Sequence, residues 1–577
     1  MTSRTRPRTS TGSLRKAAEA PITRTCKLLG ATALAICICP SAPAAAARLS
    51  AESPSLTYVE ARAAAINGEH ARAAELLATL ADAQPSEVQF AQQALGEAIG
   101  AGRMDLALNL AAKIPASKLS TDARLLLVTE AVKQRRVERA LPWLNPSGGS
   151  GDLSFLSPLL TAWDAAERGD QSRALASISQ IQANSLLGPL RNEEQALILL
   201  KFRRAAEAEP FARRAIGTAG GRETRVRLAL ADGFLAAGDR ARAQAMIEGI
   251  SSDSSAARAR ILAGKPSGEG ISTTAQALSG VLTAFGAELA RLQRAAPPIG
   301  LVQVARYADP QNSAATALLA LLLDSDDRSS EALALLGTVG ANDPLISQVR
   351  DVQVRILTKN KRLDEAFAIA SSAARDPGAG IADYSRLGDV LEAMDRHDAA
   401  ADAFGRAVAM ANAQGLKTEL WPMLLLQANA LEEANRWPEA KAALEQGLAI
   451  APDQPLLLNF MGYAKLERGE DMDSAEAMIK KASELAPDDA SIVDSLGWAQ
   501  FKRGKTDEAI ATLQQAAQKD PDQAEIQEHL GDALYKSGRR YEARFAWNAA
   551  LVTAEDKIAV RVKSKLASGL TTSNAAP

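Results

Sequence analysis

Apolar residues recur along this chain at the spacing of amphipathic helices, and the helical pattern itself repeats. Ile492, Leu496 and Ala499 lie at positions i, i+4 and i+7, which share one face of a helix. A second apolar stripe follows at Ala509 and Leu513, after a short polar turn that contains glycine. The pattern therefore predicts pairs of short helices joined by tight turns.

Small and helix-breaking residues mark each predicted pair at fixed places. In the last three pairs the first helix carries a glycine and the second helix carries an alanine 12 or 13 residues later, and a proline closes many of the pairs because it cannot continue a helix. Between residues 452 and 543 these positions are Gly462, Gly497 and Gly531, then Ala475, Ala509 and Ala543, and the prolines Pro452, Pro487 and Pro521. Small residues where two helices cross allow their axes to approach closely.

The alanine of the second helix can be followed through most of the chain, which predicts the domain organisation. Its register is lost from 250 to 311, where glycine, serine and proline cluster. We expect an N-terminal array over residues 48–250, irregular or degenerate repeats over 251–312 that act as a joint, and a C-terminal array over 313–557. A capping helix and a loose tail are expected in 558–577. Each pair must pack on its neighbours, because one pair alone cannot bury its apolar stripe.

The cap is predicted from a single amphipathic segment. Ile558, Val562 and Leu566 form its apolar stripe, and the rest of the helix carries the basic residues Lys557, Arg561, Lys563 and Lys565. We expect these cations to face solvent and to close the array.

The repeat unit resembles the tetratricopeptide repeat (TPR) family. Gly497, Ala509 and Pro521 match the family's pattern of a small residue, an alanine and a proline. The resemblance extends over about residues 54–557, in roughly 14 helix pairs, and residues 494–532 look like those of exported proteobacterial repeat proteins. It implies an all-α fold, an α-α superhelix or TPR solenoid, whose inner groove binds peptides or protein segments.

Composition agrees with helices and argues against other classes. Of the 577 residues 47% are hydrophobic but only 4% aromatic, and alanine is abundant. Alanine favours helices, whereas sheets need β-branched and aromatic residues. The formal net charge of −2 gives no electrostatic reason to expect nucleic acid as a partner.

The first 47 residues have the layout of a signal peptide. A basic segment precedes the apolar residues 28–39 and a small-residue stretch that ends near Ala47. The apolar run is shorter than the ~20 residues that span a bilayer. We therefore expect export to the periplasm, with association to the outer membrane and attachment of a lipid left open. All three cysteines lie in this segment, so the mature chain would have no disulfide, catalytic thiolate or cysteine-bound metal.

Residues suited to catalysis or metal binding are few. The three histidines, His70, His397 and His529, are far apart in sequence, and none has a second histidine at helical spacing. We predict no catalytic, cofactor or metal site. An enzymatic site hidden in residues 250–311 would need a cluster of acids, bases or metal ligands that the sequence does not show.

A candidate binding surface lies on the first helices of the last repeats. Aromatic residues next to polar ones are suited to recognition of a peptide. The candidates are Asn459, Phe460, Tyr463, Asp494, Trp498, Phe501, His529, Asp532 and Tyr535. Trp498 follows the small Gly497 and is expected to point into the groove, although Trp498, Phe501 and Tyr535 could instead pack between repeats.

The sequence thus predicts a non-enzymatic protein–protein interaction scaffold of the bacterial cell envelope. Its partners would be other proteins or peptides, bound in the concave groove, and it would meet a membrane only indirectly or through a partner. The alternative is an accessory scaffold for exopolysaccharide or pilus secretion or assembly at the outer membrane.

Overall fold

A computed structural model describes residues 53–145, 151–250, 254–292 and 297–576. Within these ranges the chain forms thirty α-helices, several short 3-10 turns and no β-strand, which confirms the predicted all-α class. The predicted signal peptide, residues 1–47, lies outside the described residues.

The described residues divide into two compact units, a first unit up to Asp395 and a second unit from Arg396. The first unit contains α1 (Pro54–Ile66), α2 (His70–Ala83), α3 (Val88–Gly100), α4 (Met104–Ala111), α5 (Thr121–Lys133), α6 (Val137–Ala140), α7 (Ser157–Glu167), α8 (Gln171–Ser179), α9 (Arg191–Lys201), α10 (Ala205–Thr218), α11 (Glu223–Ala236), α12 (Arg240–Met246), α13 (Ser255–Leu262), α14 (Thr274–Leu292), α15 (Ile299–Ala308), α16 (Ser313–Ser325), α17 (Ser329–Leu336), α18 (Ile346–Lys359), α19 (Leu363–Arg375) and α20 (Ile381–Ala393). The second unit contains α21 (His397–Ala413), α22 (Lys417–Glu433), α23 (Trp437–Ile450), α24 (Pro455–Arg468), α25 (Met472–Leu485), α26 (Ala490–Lys502), α27 (Thr506–Lys519), α28 (Ala524–Lys536), α29 (Arg540–Thr553) and α30 (Asp556–Ser568).

Consecutive helices pack as pairs because a short turn reverses the chain between them. The first helix α26 and the second helix α27 contact each other extensively, as do α28 and α29. Gly504 lies in the turn between α26 and α27 with φ of +79°, a left-handed conformation that glycine adopts at little cost. Asn435 takes the same conformation, with φ of +62°, in the turn between α22 and α23.

The two helices of a pair cross at the small residues that the sequence pattern marks. A Cβ atom on Gly497 would lie 2.6 Å from Cγ of Leu513, and one on Gly531 would lie 2.3 Å from Cδ1 of Trp547. Ala509 and Ala543 on the second helices are fully buried. The predicted close approach of the two helices is therefore present at both crossings.

The segment expected to be a joint is a packed part of the first unit. Helices α14 and α15 contact the first helices α3, α5 and α7 of earlier pairs. Tyr307 on α15 donates a hydrogen bond of 2.6 Å to Glu130 on α5, and Gln303 donates one of 3.3 Å to the carbonyl of Gly100. Residues 274–308 therefore cover first helices of the N-terminal repeats, and the predicted limits of the joint do not coincide with the division between the two units.

The crossing of α26 and α27 predicts opposite effects for one substitution at two glycines. Gly497→Ala should lower the free energy of unfolding by about 1–3 kcal/mol, because its methyl group would overlap Leu513. Gly96→Ala, inside α3 where no atom lies within 4 Å of the added Cβ, should raise it by about 0.5–1 kcal/mol. Chemical denaturation followed by circular dichroism measures both. Equal effects at the two sites would contradict the proposed role of Gly497.

Candidate functional site

The predicted binding residues lie on three consecutive first helices, α24, α26 and α28. Tyr463, Trp498 and Asp532 occupy the same place in their repeats, directly after the crossing glycine. We call the side of these helices that carries these three residues the groove face. Asn459, Asp494 and Glu528 occupy a second shared place on these helices, one helical turn earlier.

An aromatic stack joins two neighbouring repeats on the groove face. The Trp498 ring lies between Phe501, with ring centroids 4.9 Å apart, and His529 on the next first helix, at 4.1 Å. Both arrangements are nearly parallel, with interplanar angles of 18° and 11°. Trp498 is fully buried and so contributes to packing between repeats. Trp498 therefore packs between repeats, which is the alternative role that the sequence allowed for it.

An ion pair between α26 and α28 lies beside this stack. Nδ1 of the fully buried His529 lies 2.8 Å from Oδ2 of Asp494. Burial alone would lower the pKa of His529, but the Asp494 carboxylate, with smaller contributions from Glu525 and Glu528, outweighs it and raises the pKa to about 9. The imidazole is therefore protonated at neutral pH. Burial also raises the pKa of Glu525 to about 7.

Helix α30 supplies cations to the acids of α28. Lys565 Nζ donates hydrogen bonds of 2.7 Å to Glu528 and of 2.7 Å to Asp532. Arg561 donates two more to Glu528, at 3.0 and 2.6 Å. Burial acts to raise the pKa of Glu528, but these two cations hold it below its usual value. The expectation that Arg561 and Lys565 face solvent is wrong for Lys565, which is fully buried, and Arg561 is largely buried against Glu528.

Residues 569–576, which we call the tail segment, pack on the groove face. Gly569 has φ of +82°, and a Cβ on it would lie 2.1 Å from the hydroxyl oxygen of Tyr535. Ala576 donates its backbone N–H to Oδ2 of Asp532 at 3.1 Å, and its side chain belongs to one apolar cluster with Tyr463 and Trp498. The expectation of a loose tail is wrong because this backbone hydrogen bond and this apolar contact hold it in place.

The structure brings together most of the predicted residues, but none of them is exposed. Those that are buried are Phe460, Tyr463, Asp494, Trp498, His529 and Asp532. Those that are partly buried are Asn459, Phe501 and Tyr535. Sequence reasoning missed the contributions of Arg561, Lys565 and Ala576 to this surface. The two cations are spaced four residues apart, as are Glu528 and Asp532; complementary charges at matching helical spacing were the available signal.

Neither a metal site nor a membrane span is found in the part of the chain that the structure describes. No group of three or more histidine, cysteine or acidic side chains there could hold a metal ion. No helix in the described ranges combines the length and apolar character needed to cross a membrane. His70 begins α2 and His397 begins α21, and Nδ1 of His70 lies 2.6 Å from Glu97.

The buried cation of α30 can be tested with a matched pair of lysines. Lys565→Met should lower the free energy of unfolding by about 3–5 kcal/mol, because it removes the cation bound to the buried Asp532 and one of the two cations bound to the buried Glu528. Lys563→Met, at an exposed site on the same helix, should change it by less than about 0.5 kcal/mol. Urea denaturation of both full-length variants provides the comparison. A small effect at both positions would show that the Lys565 contacts do not hold α30 in solution.

Comparison with known proteins agrees with this architecture. Residues 497–538 match the family model described as TPR repeat. They include the end of α26 and all of α27 and α28. No curated protein sequence matches the chain.

Several solved structures resemble the chain at low identity. The Cut9–Hcn1 hetero-tetramer of the APC/C is 15% identical, with 90% of this chain and 97% of that chain covered and a TM-score of 0.36. A thermophilic TPR protein of Thermus thermophilus is 24% identical, with 33% of this chain and 100% of that chain covered and a TM-score of 0.29. The human IFIT1 dimer with m7Gppp-AAAA is 16% identical, with 76% of this chain and 96% of that chain covered and a TM-score of 0.30. Residues 497–538 therefore match the tetratricopeptide repeat model, and the helix pairs around them repeat the same arrangement.

Proposed function

We propose that the chain is a non-catalytic interaction scaffold and that the groove face of α24, α26 and α28 binds a peptide segment of a partner protein. The observation that carries this proposal is the contact already made there: the backbone of Ala576 is hydrogen-bonded to Asp532, and its methyl group lies in the Tyr463 and Trp498 cluster. A surface that holds a short segment through its backbone and one small side chain has the features of peptide recognition.

The groove face is better suited to an uncharged peptide than to nucleic acid. Four carboxyl groups lie on this surface, those of Asp494, Glu525, Glu528 and Asp532. The cations beside them are His529 and the two basic residues of α30, so positive charge is not in excess there. Phosphate binding needs an excess of positive charge. The net charge of the whole chain, −2, supplies none.

The envelope location is part of the same proposal and is supported by the first 47 residues. Their basic, apolar and small-residue segments are arranged as in a signal peptide. The partner would then be a protein of the bacterial envelope, in the periplasm or at the outer membrane.

Site-specific crosslinking tests which surface contacts a partner. A photo-reactive phenylalanine analogue replaces Phe501, which is partly buried next to Trp498, or Tyr541, which is 84% exposed on α29. Both positions are aromatic, so the substitutions are matched. We expect irradiation of native cells to link a protein to position 501 and none to position 541. A partner linked only from position 541 would place the docking surface on α29 and contradict the proposal.

The proposed export predicts a specific mature N-terminus. If the signal segment is removed, protein isolated from the envelope fraction should begin close to residue 48, after the small-residue stretch. N-terminal sequencing of that protein measures the site directly. An intact N-terminus on protein recovered from the cytoplasm would contradict export while leaving peptide binding untouched.

A further inference from the structure

Three features place the tail segment against the groove face. Gly569 turns the chain away from α30 in a left-handed conformation. A side chain at this position would overlap Tyr535. Asn574 then fixes a turn, since its side chain accepts a hydrogen bond from the Thr571 N–H at 2.7 Å and donates one to the Gly569 carbonyl at 2.9 Å. The turn places Ala576 next to Asp532, and Ala576 is only 4% exposed there.

In the first unit, too, an aspartate binds the backbone of another segment of the chain. Asp232 on α11 accepts hydrogen bonds from the backbone N–H of Ser267 at 2.6 Å and of Gly268 at 2.9 Å. Asp232 and Asp532 occupy equivalent places in their repeats, each eleven residues before the second-helix alanine, Ala243 or Ala543. An aspartate at this repeat position therefore binds the backbone of a small-residue segment in both units.

The two segments differ in how strongly they are held. Beyond Asp232, the segment in the first unit is followed by α14 and α15, which are bound through Glu167, Glu130 and the carbonyl of Gly100. The tail segment is hydrogen-bonded to the groove face through Ala576 and Asp532, and its residues 571–573 are exposed. Replacing it disturbs far less of the fold than replacing residues 265–308.

We propose that the tail segment is a displaceable occupant of the groove face, and that the partner segment that replaces it has the same chemistry. This inference rests on the proposed function and specifies its ligand. The partner presents a short, uncharged stretch of small residues, donates a backbone N–H to Asp532, and places a side chain the size of alanine in the Tyr463 and Trp498 cluster. A charged segment fits poorly because the acids of α28 are already paired with Lys565 and Arg561.

An occupant in the same chain competes with any added peptide through its local concentration. A short flexible connection gives an effective concentration of about 1 mM. A peptide with a dissociation constant of roughly 0.1 mM for the open groove face would then bind the closed protein about tenfold more weakly. Variants that release the tail segment should therefore bind such a peptide about tenfold more tightly.

The experiment uses full-length variants and a defined probe, a fluorescein-labelled peptide with the sequence of residues 569–577. Ala576→Arg puts a long charged side chain into a buried site and releases the tail segment without altering the groove face. Ser573→Arg makes the same change at an exposed position and is the matched control. Gly569→Val is a second, independent way to release the segment, because its side chain would overlap Tyr535.

Fluorescence anisotropy should show tenfold tighter binding of the probe to the Ala576→Arg and Gly569→Val variants than to the unaltered chain and Ser573→Arg. A probe in which the alanine equivalent to Ala576 is replaced by arginine should not bind. Equal binding to all four proteins would overturn the inference, as would no binding to any of them. A dimer of the unaltered chain that disappears in Ala576→Arg would also overturn it, because the occupant would then be a second copy.

These results can be separated from the test of the proposed function. A protein crosslinked from position 501 that the probe does not displace would leave the peptide-binding function intact and reject the inference about its ligand. Absence of any protein crosslinked from position 501 would reject the function itself.

Discussion

The close crossing of the two helices in each pair is the constraint on which the rest of the structure depends. Leu513 and Trp547 fill the space that a side chain at Gly497 or Gly531 would need. Because the glycine faces the second helix, the residue that follows it is rotated by about 100° around the helix. That rotation places Trp498 and Asp532 on the groove face. The requirement for close packing therefore also determines which residues can meet a ligand.

The repeats could be predicted from the sequence because their contacts are local. Helices α26 and α27 are adjacent in the chain, and the residues at their crossing recur at nearly constant intervals. The placement of α14 and α15 could not be predicted in this way. Tyr307 and Glu130, which help to join α15 to α5, are 177 residues apart, and nothing in the periodicity of either segment specifies the other.

The same distinction applies to the candidate site. Asp494, Trp498 and His529 were predicted to lie together because they occupy related places in adjacent repeats, and the structure brings them into contact. Lys565 was expected to face solvent, since a lysine on an amphipathic helix normally does. Its burial depends on the acids of α28, so it becomes predictable only when the charges of two helices are compared.

Asp532 connects the stability of the cap to the occupant of the groove face. Oδ2 of Asp532 accepts hydrogen bonds from both Lys565 and Ala576, while Oδ1 accepts one of 2.9 Å from Trp547. A carboxylate can accept several hydrogen bonds at once, and leaving a buried one short of partners is unfavourable. A segment that removes Ala576 must therefore supply a donor to the same oxygen. This requirement selects for a backbone N–H that can come close to Asp532, and a backbone comes close only where its own side chains are small.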